Sequence, residues 1–207
     1  MNQLAQKYPQ EIEQILSKYP PEQQRSAVMP LLYLAQREHG FVTKAALIDI
    51  AELLDITPTD VASIVGFYTL YHDQPGGKIR IQVCNDLPCA LRGADEFLAK
   101  LCEVLGIQVG ETTPDGLVTI EAVMCLAACD KAPMFQVQTG EGLAYHENQT
   151  VESALELIEG WRKNASSEPA PDASLPAGET VKQRAERGTT SQDQAERLSL
   201  KGQGGGQ

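Results

Sequence analysis

Residues 78–105 read KIRIQVCNDLPCALRGADEFLAKLCEVL, and two periods meet inside them. Lys78 to Val83 alternates polar and apolar side chains and predicts a strand. From Ala90 to Leu105, the residues Leu91, Ala94, Phe97, Leu98, Leu101 and Leu105 recur at helical spacing and predict one amphipathic helix. A second strand, LVTIEAV, follows over Leu117–Val123. A strand, a crossover helix and a strand make parallel neighbours joined with right-handed connectivity. Met134 to Gln138 predicts a third strand and Gly142 to Tyr145 a fourth, with Gly140 and Gly142 flanking their turn. A helix from Thr150 or Val151 to Arg162 closes the series.

Upstream the pattern is helical. Glu11 to Lys18 is a short candidate, broken by Pro20 and Pro21, and Pro21 suits a first helical position. The next helix runs to about Glu38 and stops at Gly40. It places Ala27, Leu31, Leu34 and Ala35 on one face, and Pro30 either kinks it or marks its start. Thr43 caps a helix through Leu54. Thr57 or Thr59 opens another, to about Tyr71. Asp73 to Gly77 (DQPGG) is a linker. After Trp161 there is no aromatic residue, and the chain ends KGQGGGQ. The expectation is an α+β chain: a helical region over 8–72, an α/β domain with a four-stranded mixed sheet over 78–163, and a disordered tail over 164–207. Transient helix is expected around Glu179–Leu200.

The 207 residues carry a formal net charge of -11 and are 42% hydrophobic. That charge offers no clustered cations for phosphates, which argues against nucleic acid and leaves a DNA-binding regulator a distant third reading, and it argues against a polybasic membrane grip. It fits docking on a basic partner face. No apolar run is long enough to span a bilayer. The N-terminus MNQLAQKYPQEIEQ has no leader pattern, so a cytoplasmic chain with reduced thiols is expected.

Four of the five cysteines form two close pairs, Cys84 with Cys89 and Cys125 with Cys129. Each pair follows a predicted strand. If those strands are parallel neighbours, both pairs emerge at one sheet edge, where ligands bind in open parallel sheets. Four thiolates suit either structural zinc or an iron–sulfur cluster. Two loops with two cysteines each meet the demand of a [2Fe–2S] cluster for two thiolates on each iron. The short segments 85–88 and 126–128 can present backbone N–H groups to anionic sulfurs. Cys89 is expected at the N-terminus of the long helix, where the dipole favours a thiolate. A zinc-stabilised interaction module is the rival, although zinc sites usually include a pair with only two intervening residues.

VCNDLPCALRG (83–93) and CLAACDKAPM (125–134) resemble the two signatures of the thioredoxin-like [2Fe–2S] ferredoxins, in the form found in the E-type subunits of NADH–quinone oxidoreductases (respiratory complex I). YPPEQQRSAVMPLLYLAQREHGF (19–41) and VGFYTLYHDQPGGK (65–78) are similar to the N-terminal helical region of those subunits. The resemblance spans roughly residues 8–163. It implies a helical bundle before a thioredoxin-like domain, with Cys84 and Cys89 on one iron and Cys125 and Cys129 on the other. It implies a partner subunit that holds FMN and NADH, with other peripheral-arm subunits around it. The hydride chemistry then belongs to the partner, and this chain exchanges single electrons. Residence on the cytoplasmic side, attached to the membrane through the complex, follows from the same resemblance. Equivalent subunits of NAD-linked formate dehydrogenases and hydrogenases are the alternative. The family's usual Gly between Leu126 and Ala128 is Ala127 here; if that position needs positive φ, strain of about 1 kcal/mol is expected.

Other chemistry-bearing residues read more plainly. Cys102 falls on the apolar face of its helix and is expected in the core. His39, His72 and His146 lack metal-ligand spacing; His39 suits a helix end, and His72 reads as a surface residue. Phe67, Tyr68 and Tyr71 form an aromatic group that serves either a partner contact or an internal anchor. Ala45–Leu70 resembles a helix-turn-helix, but its second helix has no Lys or Arg to reach DNA. Ala132–Pro133 is expected to be cis, ahead of the third strand. No phosphate-binding glycine motif is present, so neither NADH nor flavin is expected on this chain.

Overall fold

The computed structural model describes residues 2–165. These fall into two compact units, one of residues 2–35 and 42–74, the other of residues 36–41 and 75–165.

The first unit is helical. Helix α1 (Gln3–Lys7) is capped by Asn2, whose Oδ1 accepts from the Ala5 N–H at 2.9 Å. It is too short to declare itself by periodicity and was not expected. Helix α2 (Pro9–Leu16) starts on its proline, two residues ahead of the expected 11–18. A 3₁₀ stretch (Pro21–Ala27) leads into α3 (Val28–His39). Pro30 lies in the first turn of α3, where an amide has no intrahelical acceptor, so the proline marks the start of the helix. Helix α4 (Lys44–Leu54) is capped by Thr43 as expected.

Helix α5 (Pro58–Phe67) opens on a capping box in which Thr57 and Asp60 each accept the other's backbone N–H at 3.1 Å. It ends at Phe67, short of the expected Tyr71, because Tyr68 turns extended. Leu31, Leu32, Ile50, Val61, Val65 and Tyr71 fill the core. Burial of each large aliphatic side chain contributes roughly 2 kcal/mol. Tyr71 donates its hydroxyl to the Met29 carbonyl at 3.0 Å, and burial pushes its phenol well above the usual range. His72 is buried, not at the surface as its polarity suggested, and its carbonyl accepts from the Val42 N–H at 2.7 Å.

The second unit is built on a sheet of order β2-β1-β3-β4. Strand β1 (Ile79–Cys84) leads into α6 (Leu87–Ala90) and α7 (Ala94–Leu105). Strands β2 (Val118–Val123), β3 (Phe135–Thr139) and β4 (Gly142–His146) and helix α8 (Val151–Ala165) complete it. β1 and β2 are parallel; β3 is antiparallel to both β1 and β4. This is the expected α+β fold with a four-stranded mixed sheet.

One sheet face carries Ile79, Ile81, Val83, Val118, Ile120, Phe135 and Val137 against Phe97, Leu98 and Leu101 of α7 and Ala154 and Ile158 of α8. The other carries Arg80, Gln82, Gln136 and Gln138. Gly77 has no alternative at its position, since a Cβ there would stand 2.5 Å from the Leu117 carbonyl oxygen.

The single helix expected over 90–105 is two. Gly93 takes φ 89 and breaks it, which turns Leu91 out to 80% exposure. Helix α8 runs to Ala165, so residues 164 and 165 are its last turn and not tail. The rest of the expected tail, 166–207, and its helix around Glu179–Leu200 lie outside the described residues.

Candidate metal centre

The parallel register pairs Cys84 with Val123 at the ends of β1 and β2, so both chains leave the sheet at one edge. The Asn85 N–H donates to the Val123 carbonyl at 3.1 Å and ties the two exits together. Cys84 is the last residue of β1 and is buried. Cys89 sits in α6 and is buried too. It does not begin the long helix as expected, because α7 starts only at Ala94, after Gly93 at its N-cap. Cys125 lies two residues beyond β2 and is exposed; Cys129 opens a 3₁₀ turn (Cys129–Lys131) and is half-buried.

The fold brings these four thiols together. Cys125 Sγ and Cys129 Sγ are 3.7 Å apart. The Cys89 thiol interacts with those of Cys84 and Cys129, which bridges the two pairs. Burial first, then the neighbouring Cys84 and Cys129, push the Cys89 thiol up to about 12. Cys129 is also raised, first by its contact with Cys125 and then by burial. Such thiols hold their protons until a metal displaces them. Among the described residues no three His, Cys, Asp or Glu side chains are placed to hold one metal ion. The donors come from two places in the chain, Cys84 and Cys89 at the end of β1 and in α6, Cys125 and Cys129 beyond β2, and two pairs suit a group with two metal atoms.

The second loop supplies the backbone donor expected for an anionic sulfur. Ala127 takes φ 60, and its N–H donates to Cys125 Sγ at 3.3 Å. The residue in place of glycine therefore does occupy the left-handed region, with its strain of about 1 kcal/mol. In the first loop the amides go elsewhere. Leu87 donates to Asp86 Oδ1 at 3.0 Å and Cys89 to the Asp86 carbonyl at 2.8 Å.

Several clamps around the site were not singled out in the sequence. Tyr145 on β4 donates its hydroxyl to the Leu126 carbonyl at 2.9 Å. Arg92 Nε donates to the Ala132 carbonyl at 3.2 Å. Asn148, at φ 52, donates its N–H to the Lys131 carbonyl at 2.7 Å. An asparagine just after a strand is a signal for such a turn; nothing local marks the other two. The Ala132–Pro133 bond is cis, as expected.

The remaining candidates take other places. Cys102 is buried in the apolar core, as expected. His39 ends α3, 3.6 Å from Glu38. His146 packs between Phe135 and Trp161, with ring centroids 5.1 and 5.8 Å away. The aromatic group divides: Tyr71 is core, while Phe67 is 78% exposed and Tyr68 is partly so.

The family model of the thioredoxin-like [2Fe–2S] ferredoxins matches residues 12–162. NADH-quinone oxidoreductase subunit 2 of Thermus thermophilus is 45% identical over 126 residues, 61% of this chain and 70% of that one. An E-type NADH-quinone oxidoreductase subunit of Rhizobium meliloti is 40% identical over 153 residues, 74% of this chain and 88% of that one. Among solved structures, an NAD+-reducing [NiFe]-hydrogenase in the air-oxidised state aligns with TM-score 0.56 at 19% identity, covering 69% of this chain and 24% of that one, a likeness of fold. With its family model matched over most of its length and four thiols gathered where two parallel strands end, the chain belongs to the thioredoxin-like [2Fe–2S] ferredoxin family.

Proposed function

We propose that Cys84, Cys89, Cys125 and Cys129 hold one [2Fe–2S] cluster and that the chain exchanges single electrons with the flavin of an NADH-oxidising partner subunit in NADH-quinone oxidoreductase. The observation that carries this is the meeting of two buried and two more accessible thiols at one edge of the β1–β2 pair. When bound, such a cluster supplies one-electron acceptance and return. The protein's own part is to hold the thiolates, orient them and keep water from half of them. Cys84 and Cys89 are the sealed half, packed with Ala94, Ala132 and Met134.

The reading divides the chain into a helical region, roughly 8–72, and the ferredoxin domain, 78–163. The partner's docking face is the apolar rim beside the thiols, formed by Leu87, Leu91 and Met124, all at least 70% exposed. Leu87 and Leu91 lie two residues from Cys89, and Met124 one residue from Cys125, so a partner seated on them would cover the site. Among the described residues no helix is long and apolar enough to cross a membrane; the proposal puts the chain on the cytoplasmic side, attached to a membrane through its complex. The curated relatives at 45% and 40% identity favour the quinone-reducing complex over the hydrogenase, whose likeness is in fold alone.

The test is visible absorbance and low-temperature EPR of the full chain before and after dithionite. A red-brown protein with about two irons per chain and a rhombic signal on reduction is expected. A colourless, EPR-silent protein with about one zinc per chain would overturn the reading.

A further inference from the structure

The sheet face turned away from the apolar core is polar and yet closed. Arg80, Gln82, Gln136 and Gln138 are all buried on it. The register sets Gln82 opposite Glu121 and Cys84 opposite Val123, so Glu121 stands on the face of Gln82 and Cys84, one pleat short of the cysteine. A chain of hydrogen bonds runs across the strands. Gln136 Nε2 donates to Gln82 Oε1 at 2.7 Å, and Gln82 Nε2 donates to Glu121 Oε2 at 3.0 Å. Arg80 Nη1 donates to Glu121 Oε1 at 2.9 Å. The guanidinium is also held against the backbone that precedes β1: a Cβ on Gly76 would collide with Arg80 Nη2. The pair therefore has a direction. Its carboxylate lies toward Cys84 and its guanidinium toward the far end of β1.

We infer that Glu121 and Arg80 set the reduction potential of the thiolate site, as an oriented charge pair whose negative end faces Cys84. The inference rests on the cysteine ligation proposed above. Reduction brings one electron from the partner's flavin, or from a chemical reductant, and adds one negative charge to a site that is already anionic. A carboxylate held nearby opposes that charge, and the opposition is only partly screened, because Glu121 is 23% exposed and its partners Arg80 and Gln82 are buried. The guanidinium favours reduction but acts from farther away. Gln82 and Gln136 are positioning residues: the amide of Gln82 fixes the carboxylate, and that of Gln136 fixes Gln82.

The experiment is an EPR-monitored redox titration of the cluster-loaded full chain and its Glu121→Gln, Arg80→Gln and doubly substituted variants. Glu121→Gln is expected to raise the midpoint, Arg80→Gln to lower it, and the double variant to lie between them. Arg80→Lys, which keeps the charge, is expected to stay near the wild type. A midpoint unmoved in Glu121→Gln, a shift of the same sign in both single variants, or loss of the cluster from Glu121→Gln would each make the pair a brace for the sheet and overturn the inference. Failure of the wild-type chain to show the cluster signal at all is a different result, and it removes the ligation on which the inference stands.

Discussion

Ala127 shows how much one backbone angle can ask of a residue. At φ 60 it bears the strain of a left-handed alanine and turns its N–H onto Cys125 Sγ. Ala127→Gly relieves that strain, and after allowing for glycine's entropy the gain is up to about 1 kcal/mol. Thermal unfolding of the cluster-loaded chain should show a higher midpoint. Cys89 and Cys102 make the opposite comparison, for both are buried. Cys89→Ser is expected to abolish the visible cluster absorbance. Cys102→Ser is expected to keep it and to lower stability by roughly 1–3 kcal/mol, the cost of a hydroxyl in an apolar core, measurable by urea denaturation. Beside them, Leu91→Asp puts a charge on the exposed rim. It should leave absorbance unchanged and weaken co-purification with a flavin subunit.

At the level of elements, what could be read beforehand depended on period. β1 and β2 announced themselves by alternation, and their parallel pairing followed from the helix between them; that alone predicted where two cysteine pairs would meet. The break at Gly93 was hidden, because Leu91, Ala94 and Phe97 keep helical spacing straight through it. Only the left-handed φ of Gly93 separates α6 from α7 and moves Cys89 off the helix start. The five residues of α1 are too few to show a period. The clamps from Tyr145 and Arg92 join residues 19 and 40 positions apart, which no local pattern encodes.

Capping, by contrast, was legible in Thr43 and Thr57. Thr57→Ala removes a capping box and should cost about 1 kcal/mol in urea denaturation. His146, wedged on β4 between Phe135 and Trp161, is held below the usual imidazole value of 6.5 by burial. A depressed folded-state pKa means that the unfolded chain binds the extra proton first. This contribution to stability is therefore complete above about pH 6.5 and is lost as pH falls through the folded value. His146→Phe should flatten the dependence of the unfolding midpoint on pH below 6.5.

For the whole molecule, a charge of -11 and the exposed Leu87, Leu91 and Met124 suit the proposed docking on a basic partner face. Its association rate with that partner should fall as salt is raised, while the rim sets the rate of departure. The burial of the four thiols has a consequence in time as well as in space. Cys84 and Cys89 sit in packed structure, whereas Cys125 stands in water and Cys129 halfway between. In the cluster-free chain a thiol-alkylating reagent followed by mass spectrometry should therefore label Cys125 first, Cys129 next, and the other two last. On the proposed ligation, half of the socket is finished when the chain has folded, and the other half faces the solvent from which a metal arrives.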